Sequence, residues 1–264
     1  MNKLLSLNQA VALIPDGALL GLGGNALNRA PMAAVMALAL EKKHGLRLVK
    51  TAGGMDVDLL CLAGCVKSVD AGFISYETEY SLCQHYRKAV QEGSVKANEH
   101  ACYTVISALR AASYGIPFMP VRGLQVSDLV AANGYFASVT DPFTGETLNA
   151  VKAIRLDVSI VHAQLADSLG NALIEGPKYE DVLLSRASKT VIVTAERIVG
   201  GDYFAQSDVK ANIPHFLVSA VACAPRGAAP GACHGAYGVS DEDIRSFLKL
   251  KSAGELDAWL QRRP

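Results

Sequence analysis

The sequence predicts an α/β fold: a mainly parallel sheet with helices on both faces. Three observations predict it. Short apolar runs alternate with helical runs along the whole chain, the order expected where crossover helices join parallel strands. Runs such as Val158-Ser159-Ile160-Val161-His162-Ala163 and Thr190-Val191-Ile192-Val193-Thr194-Ala195 are apolar or β-branched almost throughout, as strands covered on both faces are. The first run, Ala18-Leu19-Leu20-Gly21-Leu22, ends in Gly23-Gly24 ahead of a helix start at Pro31, giving a strand, a close-approach loop and a helix N-terminus.

Taken in order, residues 4–13 read as a short helix and 18–22 as the first strand. Pro31 opens a helix to residue 40 that is apolar nearly all round, hence buried, and Gly45 ends it. Residues 46–50 form a strand, followed by the turn Ala52-Gly53-Gly54-Met55 and a helix that Asp56 can cap through Gly64. A strand over 66–74, interrupted by Gly72, leads into the polar loop Ser75-Tyr76-Glu77-Thr78-Glu79 and a helix over 80–91. A short strand over 94–98 and a helix over 101–114 follow. Pro117 and Pro120 make the next stretch an edge strand or an extended loop. Residues 121–136 carry no period, and a loop of that length is more often a functional lid than idle chain. After the turn Asp141-Pro142-Phe143-Thr144-Gly145 come strands over 150–156 and 158–166, a helix over 179–188, strands over 190–195 and 216–223, and amphipathic helices over 241–250 and 255–261.

Composition bounds the function. The 264 residues, half of them hydrophobic, suffice for a large core, and one domain over residues 1–264 is expected. With 25 Lys+Arg against 25 Asp+Glu, charge gives no reason to expect a nucleic acid or an anionic membrane as partner. The N-terminal residues lack a signal-like apolar core, and no run approaches the ~18 apolar residues of a membrane span, so a cytoplasmic protein is expected. Six scattered cysteines read as small buried hydrophobes. Cys61 and Cys65 stand four apart, but no second Cys or His pair accompanies them, and no metal site is expected.

The glycine loop admits three readings. Gly21-Leu22-Gly23-Gly24-Asn25-Ala26 fits the dinucleotide pattern G-x-G-x-x-A, although the helix waits for Pro31 and no acidic residue ends the next strand. A purely structural turn is the second. The third is a resemblance: Asp16-Gly17, an apolar run, Gly23-Gly24 and a proline seven residues on resemble the N-terminal signature of the α subunit of family I coenzyme A transferases. Asn25 replaces the usual aromatic and Arg29 the usual glycine, which points to the glutaconate CoA-transferase-like branch. Residues 157–172, residues 189–199 and the run Ala229-Pro230-Gly231-Ala232-Cys233-His234-Gly235-Ala236-Tyr237 resemble later parts of the same protein family.

The resemblance implies a doubly wound CoA-transferase / NagB-RpiA-like fold and an αβ heteromer with the active site between its two chains. It implies a glutamate nucleophile that attacks an acyl-CoA, giving an anhydride and then a glutamyl-CoA thioester, from which CoA passes to a second acid. Coenzyme A thioester enters as substrate, and no cofactor is implied. In split enzymes of the family that glutamate lies on the β subunit in a Ser-Glu-Asn-Gly-like motif, which this chain lacks. The partners implied are therefore the β subunit, an acyl-CoA and a carboxylic acid. The acid-binding residues implied here are Gly23, Gly24, Asn25, Arg29 and Ser75, with Arg29 as a bidentate carboxylate clamp. A related branch opens steroid rings by hydrolysis with a carboxylate of the α subunit; Glu99, just past a strand, stands at the resembling position. A pseudo-subunit that only binds a CoA ester or scaffolds its partner is the third possibility. The residues themselves add one more cluster, His162, Gln164 and Asp167, near the C-terminal end of a strand.

Overall fold

The computed structural model describes residues 2–262. Its main sheet contains β1 (Leu4–Leu5), β2 (Leu19–Leu22), β3 (Leu46–Gly53), β4 (Val66–Ile74), β5 (Lys96–Glu99), then, beyond an insertion, β9 (Leu156–Asp167), β10 (Ala172–Leu173), β11 (Ser188–Val199) and β12 (Ala220–Cys223). The strand order is β1-β12-β11-β9-β2-β3-β4-β5, every neighbouring pair parallel, with β10 antiparallel to β9. The mainly parallel α/β sheet is thus borne out. The insertion holds β6 (Phe118–Val121), β7 (Phe136–Thr140) and β8 (Thr147–Lys152) as a separate antiparallel sheet ordered β6-β8-β7. Pro120 lies on its edge strand, where a missing N–H is tolerated.

Burial follows position in the sheet. Central β9 is buried along nearly its whole length, whereas edge strand β5, Lys-Ala-Asn-Glu, is half-buried or exposed. Registry places Leu20 between Leu48 and Val158, and Val193 between Val161 and Val221, so apolar rows run across both faces. On one face pack the helices Leu7–Ala12, Met32–Leu40, Met55–Leu62, Gln84–Gln91, Asp241–Leu248 and Ala253–Leu260, around Leu38, Leu59 and Phe247. The opposite face carries the helices Cys102–Ser113 and Asp181–Ala187 and the small sheet, joined through Val105, Val151 and Leu184. The interruption expected at Gly72 does not occur: β4 runs on through it, and because a Cβ there would lie 2.3 Å from the Cys102 nitrogen, the glycine lets the helix Cys102–Ser113 start directly against the strand.

Several boundaries differ from expectation for local reasons. The first helix is shorter because Ser6 caps it in a box with Gln9, which leaves Leu4–Leu5 free to pair with β12. The expected helix over 80–91 breaks at Ser81, whose φ of 68° is left-handed, into Glu77–Tyr80 and Gln84–Gln91. Asp56 caps from inside the helix, its carboxylate accepting from the Gly54 and Val57 N–H groups. β7 begins at Phe136, where the stretch without a period ends, and the sequence does not predict it as a strand because its residues are largely exposed and show no clear alternation.

Candidate active site at the C-terminal ends of the strands

The parallel strands point one way, so the loops after β2, β4, β9 and β12 meet at one end of the sheet, where α/β proteins bind ligands. The loop after β2 is the centre. Gly24 adopts φ of 70°, and a Cβ there would lie 2.4 Å from the Arg29 carbonyl carbon. Asn25 and Asn28 exchange backbone hydrogen bonds of 2.8 and 2.7 Å, closing a tight turn. That turn is stitched to the C-terminal segment: Arg29 N–H donates to Ala232 O and Ala232 N–H to Leu27 O, both at 2.7 Å. Three sequence stretches far apart in the chain, residues 23–29, 157–172 and 229–237, therefore converge here.

Arg29 departs from its expected task. It is 2% exposed, and its guanidinium donates to His162 O at 2.9 Å and Pro177 O at 2.8 Å while pairing with Asp181 Oδ2 at 2.6 Å. The other Asp181 oxygen accepts the Gly24 N–H at 2.9 Å. Burial pushes Asp181 up from the ordinary carboxylate range, while Arg29 and the Gly24 N–H pull it back. The anion expected at the glycine loop is the chain's own Asp181. Gly23 N–H likewise donates internally, to Ile160 O at 2.9 Å, and Gly23 O accepts from Lys50, which pairs with buried Asp56 at 2.7 Å.

The other expected residues fall as follows. Ser75 is buried, donates to Ser81 O at 3.0 Å and accepts from the Glu77 N–H at 3.2 Å, so its hydroxyl closes the loop after β4. Asn25 is half-buried within the turn. Glu99 is exposed at the last position of β5, with its carbonyl held by Asn133 Nδ2 at 2.6 Å. Asn133 lies in the stretch expected to be a lid, which here forms the short helix Leu129–Ala132 and the approach to β7. Asp167 accepts from the N–H groups of Leu169, Gly170 and Asn171, and Gln164 bonds to Glu175 and His234 backbone, so both support loops.

His162 is fully buried, with Nδ1 at 2.9 Å from Thr194 Oγ1 and Nε2 at 2.8 Å from Glu196 Oε1. Glu196 also accepts from the Tyr237 hydroxyl and, at 2.6 Å, from the Arg226 N–H. Burial raises the Glu196 pKa, but these three hydrogen bonds outweigh it and leave the group below the ordinary range. His162, Glu196 and Cys233 bring one ligand-type atom each within 4.8 Å of one another. Both His162 nitrogens are already engaged, and burial pushes the Cys233 thiol up to about 11, so the cluster reads as a closed hydrogen-bond network.

Two depressions flank the turn. One, of about 370 Å³, is lined by Asn28, Arg29, Tyr179, His234 and Tyr237 among others. The second, of about 300 Å³, is lined by Asn28 and by Tyr76, Glu77, Thr78, Glu79 and Tyr80. Non-glycine residues with left-handed φ gather around them: Ala26, Arg29, Glu77, Ser81 and Tyr179. Such conformations are costly and concentrate where a fold holds a ligand site in shape. Sequence reasoning misses Asn28, Tyr179, Glu77 and Asp181; the Tyr-Glu-Asp run at a helix start is the one signal that could have found two of them.

Residues 4–224 match the family model for coenzyme A transferase. The chain belongs to the coenzyme A transferase family. It is 30% identical over 277 residues to the A subunit of glutaconate CoA-transferase from Acidaminococcus fermentans, covering 98% of this chain and 87% of that one. The A subunit of 3-oxoadipate CoA-transferase from Pseudomonas knackmussii is 33% identical, with 90% and 84% covered. A cholesterol ring-cleaving hydrolase IpdA subunit of Rhodococcus jostii is 32% identical over 270 residues, with 98% and 90% covered. The chain spans 57% of the length of a further relative, from Archaeoglobus fulgidus, to which it is 32% identical. Among solved structures, the Acidaminococcus glutaconate coenzyme A-transferase superposes with a TM-score of 0.93 at 29% identity, over 98% of this chain and 88% of that one. A variant of the decarboxylase AibA/AibB gives 0.90 at 34%, over 99% and 98%. No helix among the described residues is long and apolar enough to cross a membrane.

Proposed function

We propose that this chain is the α subunit of a heteromeric CoA-transferase, supplying the acid-substrate side of a site completed by a β subunit. The partner's glutamate attacks the acyl-CoA carbonyl and expels CoA thiolate; the thiolate then attacks the resulting anhydride, freeing the first acid and leaving glutamyl-CoA. The second acid repeats the two steps in reverse. On this chain the turn of residues 25–28 forms the wall against which the acid rests, with Gly23, Gly24 and Arg29 holding its shape.

The observation that carries the proposal is the state of this chain's carboxylates at the ligand end of the sheet. Buried Asp181 and Asp56 and half-buried Glu196 are each committed to internal partners, so none of these three is free to attack an acyl-CoA. The Ser-Glu-Asn-Gly-like run that carries the nucleophile in split enzymes of the family does not occur in this sequence. The relatives named as the A subunits of two transferases support the same reading. One feature favours a second: Glu99 is an exposed carboxylate at the end of β5 on a backbone fixed by Asn133, available for ring-opening hydrolysis of a CoA thioester.

The test is an assay of the purified chain alone and together with its β subunit on several acyl-CoA and acid pairs. Transfer by the pair and none by the chain alone is expected. Robust transfer by the isolated chain overturns the proposal. In the pair, Glu99→Gln is expected to reduce transfer modestly. A loss of ~10²–10⁴-fold in hydrolysis of a cyclic-ketone thioester would establish the second reading instead.

A further inference from the structure

Charge is unevenly balanced around the turn of residues 25–28. Among the described residues that line the two depressions, Arg29 is the only Lys or Arg, and its guanidinium is closed off by Asp181 and two carbonyls. The next cation inward, Lys50, is buried and closed off in the same way by Asp56 and Gly23 O. Neither has charge left for a ligand.

The anions are not so matched. Glu77 and Glu79 line the second depression, are exposed, and make no ion pair among the described residues. Arg245, on which Glu79 acts electrostatically, is itself paired with Asp241 at 2.8 Å. Half-buried Glu180 follows Tyr179 directly, beside Thr51, and its pKa is raised by burial. At the Tyr179 ring, the Arg29 guanidinium, 5.7 Å from the centroid, is opposed by Asp181, Glu77 and Glu180. At the first depression exposed Arg226 lies over the Tyr237 ring, 4.8 Å from its centroid, and exposed Lys178 stands between Pro177 and Tyr179. The second depression, lined by Glu77 and Glu79 and by no Lys or Arg, carries one sign of unpaired charge, which concentrates ligands of the other sign or of none and disfavours its own.

We propose that the site selects a substrate whose acyl body carries no second carboxylate, with Glu77 and Glu79 as specificity-determining residues. The inference deepens the CoA-transfer reading and rests on it for the reaction, but on the charge count for the selectivity. Asn28, Tyr179 and Tyr237 offer such a body amide, hydroxyl and aromatic surface, and Pro177, Ala232 and Ala236 offer apolar surface. Glutaconate and 3-oxoadipate, for which two relatives are named, are both dicarboxylates, so this chain is expected to differ from those relatives in its acid.

Binding and turnover are to be measured separately on the complex of this chain with its β subunit. Hexanoyl-CoA and adipyl-CoA have six-carbon acyl groups that differ in a terminal carboxylate. The calorimetric titrations use the complex whose β-subunit nucleophilic glutamate is replaced by alanine, so that no glutamyl-CoA forms. At low salt hexanoyl-CoA should bind it roughly tenfold tighter or more, and the ratio should shrink at 0.5 M salt, where screening lengths fall to roughly 4 Å. In the double variant Glu77→Asn with Glu79→Gln, the ratio should fall several-fold; asparagine at 77 tolerates the left-handed φ of 63°. Equal or tighter binding of adipyl-CoA overturns the proposal. So does a preference that persists at full size in the folded double variant. Preferential binding of hexanoyl-CoA, with transfer of CoA to no acid by the complex that keeps its β-subunit glutamate, would refute transfer while upholding the charge selectivity.

Discussion

At the scale of single residues, the glycine loop and its arginine show how a buried ion pair can take over a site that sequence alone assigns to a ligand. Gly24 needs its left-handed φ because Arg29 returns against it, and Arg29 is held there by Asp181, whose other oxygen receives the Gly24 N–H. Each of the three depends on the other two. Breaking a buried pair by removing one partner leaves an uncompensated charge and costs about 3–5 kcal/mol. Arg29→Ala and Asp181→Asn are each expected to lower urea-unfolding stability by about that amount. Arg29→Lys should not rescue, because an ammonium cannot span two carbonyls and a carboxylate in the guanidinium's planar geometry. Full stability of Arg29→Ala, combined with a tenfold higher Michaelis constant for the acid, would return Arg29 to direct substrate binding.

At the scale of elements, the segment after β12 acts as a clasp over the site. Ala232 bonds to the turn after β2 through both its N–H and its carbonyl, and the Tyr237 hydroxyl donates to Glu196 while accepting the Ala228 N–H at 3.0 Å. Tyr237→Phe leaves a half-buried carboxylate oxygen and an amide short of a partner, a loss of about 1–3 kcal/mol. It should also speed amide hydrogen exchange over residues 228–237 well before global unfolding; unchanged protection there would dismiss the clasp. Elements of this kind are unevenly legible in the sequence. β4 is legible to the residue, since Val66 through Ile74 is bounded by turn chemistry at both ends. β9 and β11 show as apolar runs that stop short of the real strand ends, because their last residues, among them Asp167 and Glu196, are polar for reasons that lie across the sheet. The same blindness applies to the site: Gly23-Gly24 signals a close approach, but nothing local says that Asp181, more than 150 residues on, fills it. Ser75 resembles a ligand-binding hydroxyl in sequence and is committed to its own loop in the structure.

At the scale of the whole molecule, stability against pH depends on a pair of buried groups that titrate in opposite senses. Asp58, on the helix Met55–Leu62, accepts the Tyr76 hydroxyl at 2.9 Å and the N–H groups of His85 and Tyr86 at 2.8 Å, joining that helix to Gln84–Gln91. Burial outweighs these bonds and lifts its pKa from 3.8 to about 6. Burial, with Lys251 and Lys88 adding to it, lowers His85 from 6.5 to about 4. Asp58, raised on folding, contributes stability that is fully present below 3.8 and lost as pH rises through about 6. His85, depressed on folding, contributes stability that is present above 6.5 and lost as pH falls through about 4. Between those limits the slopes oppose each other and are similar in size, so the parent protein should show little net pH dependence from this pair. Asp58→Asn keeps an acceptor for the two N–H groups and removes the titration. Relative to the parent, its urea-unfolding free energy should therefore fall as pH is lowered from 7 to 4, while that of His85→Leu should rise. Taking each variant as a difference from the parent at fixed ionic strength cancels the other carboxylates. Profiles parallel to the parent's in both variants would show that neither group is charged and neutral in the states assigned to it.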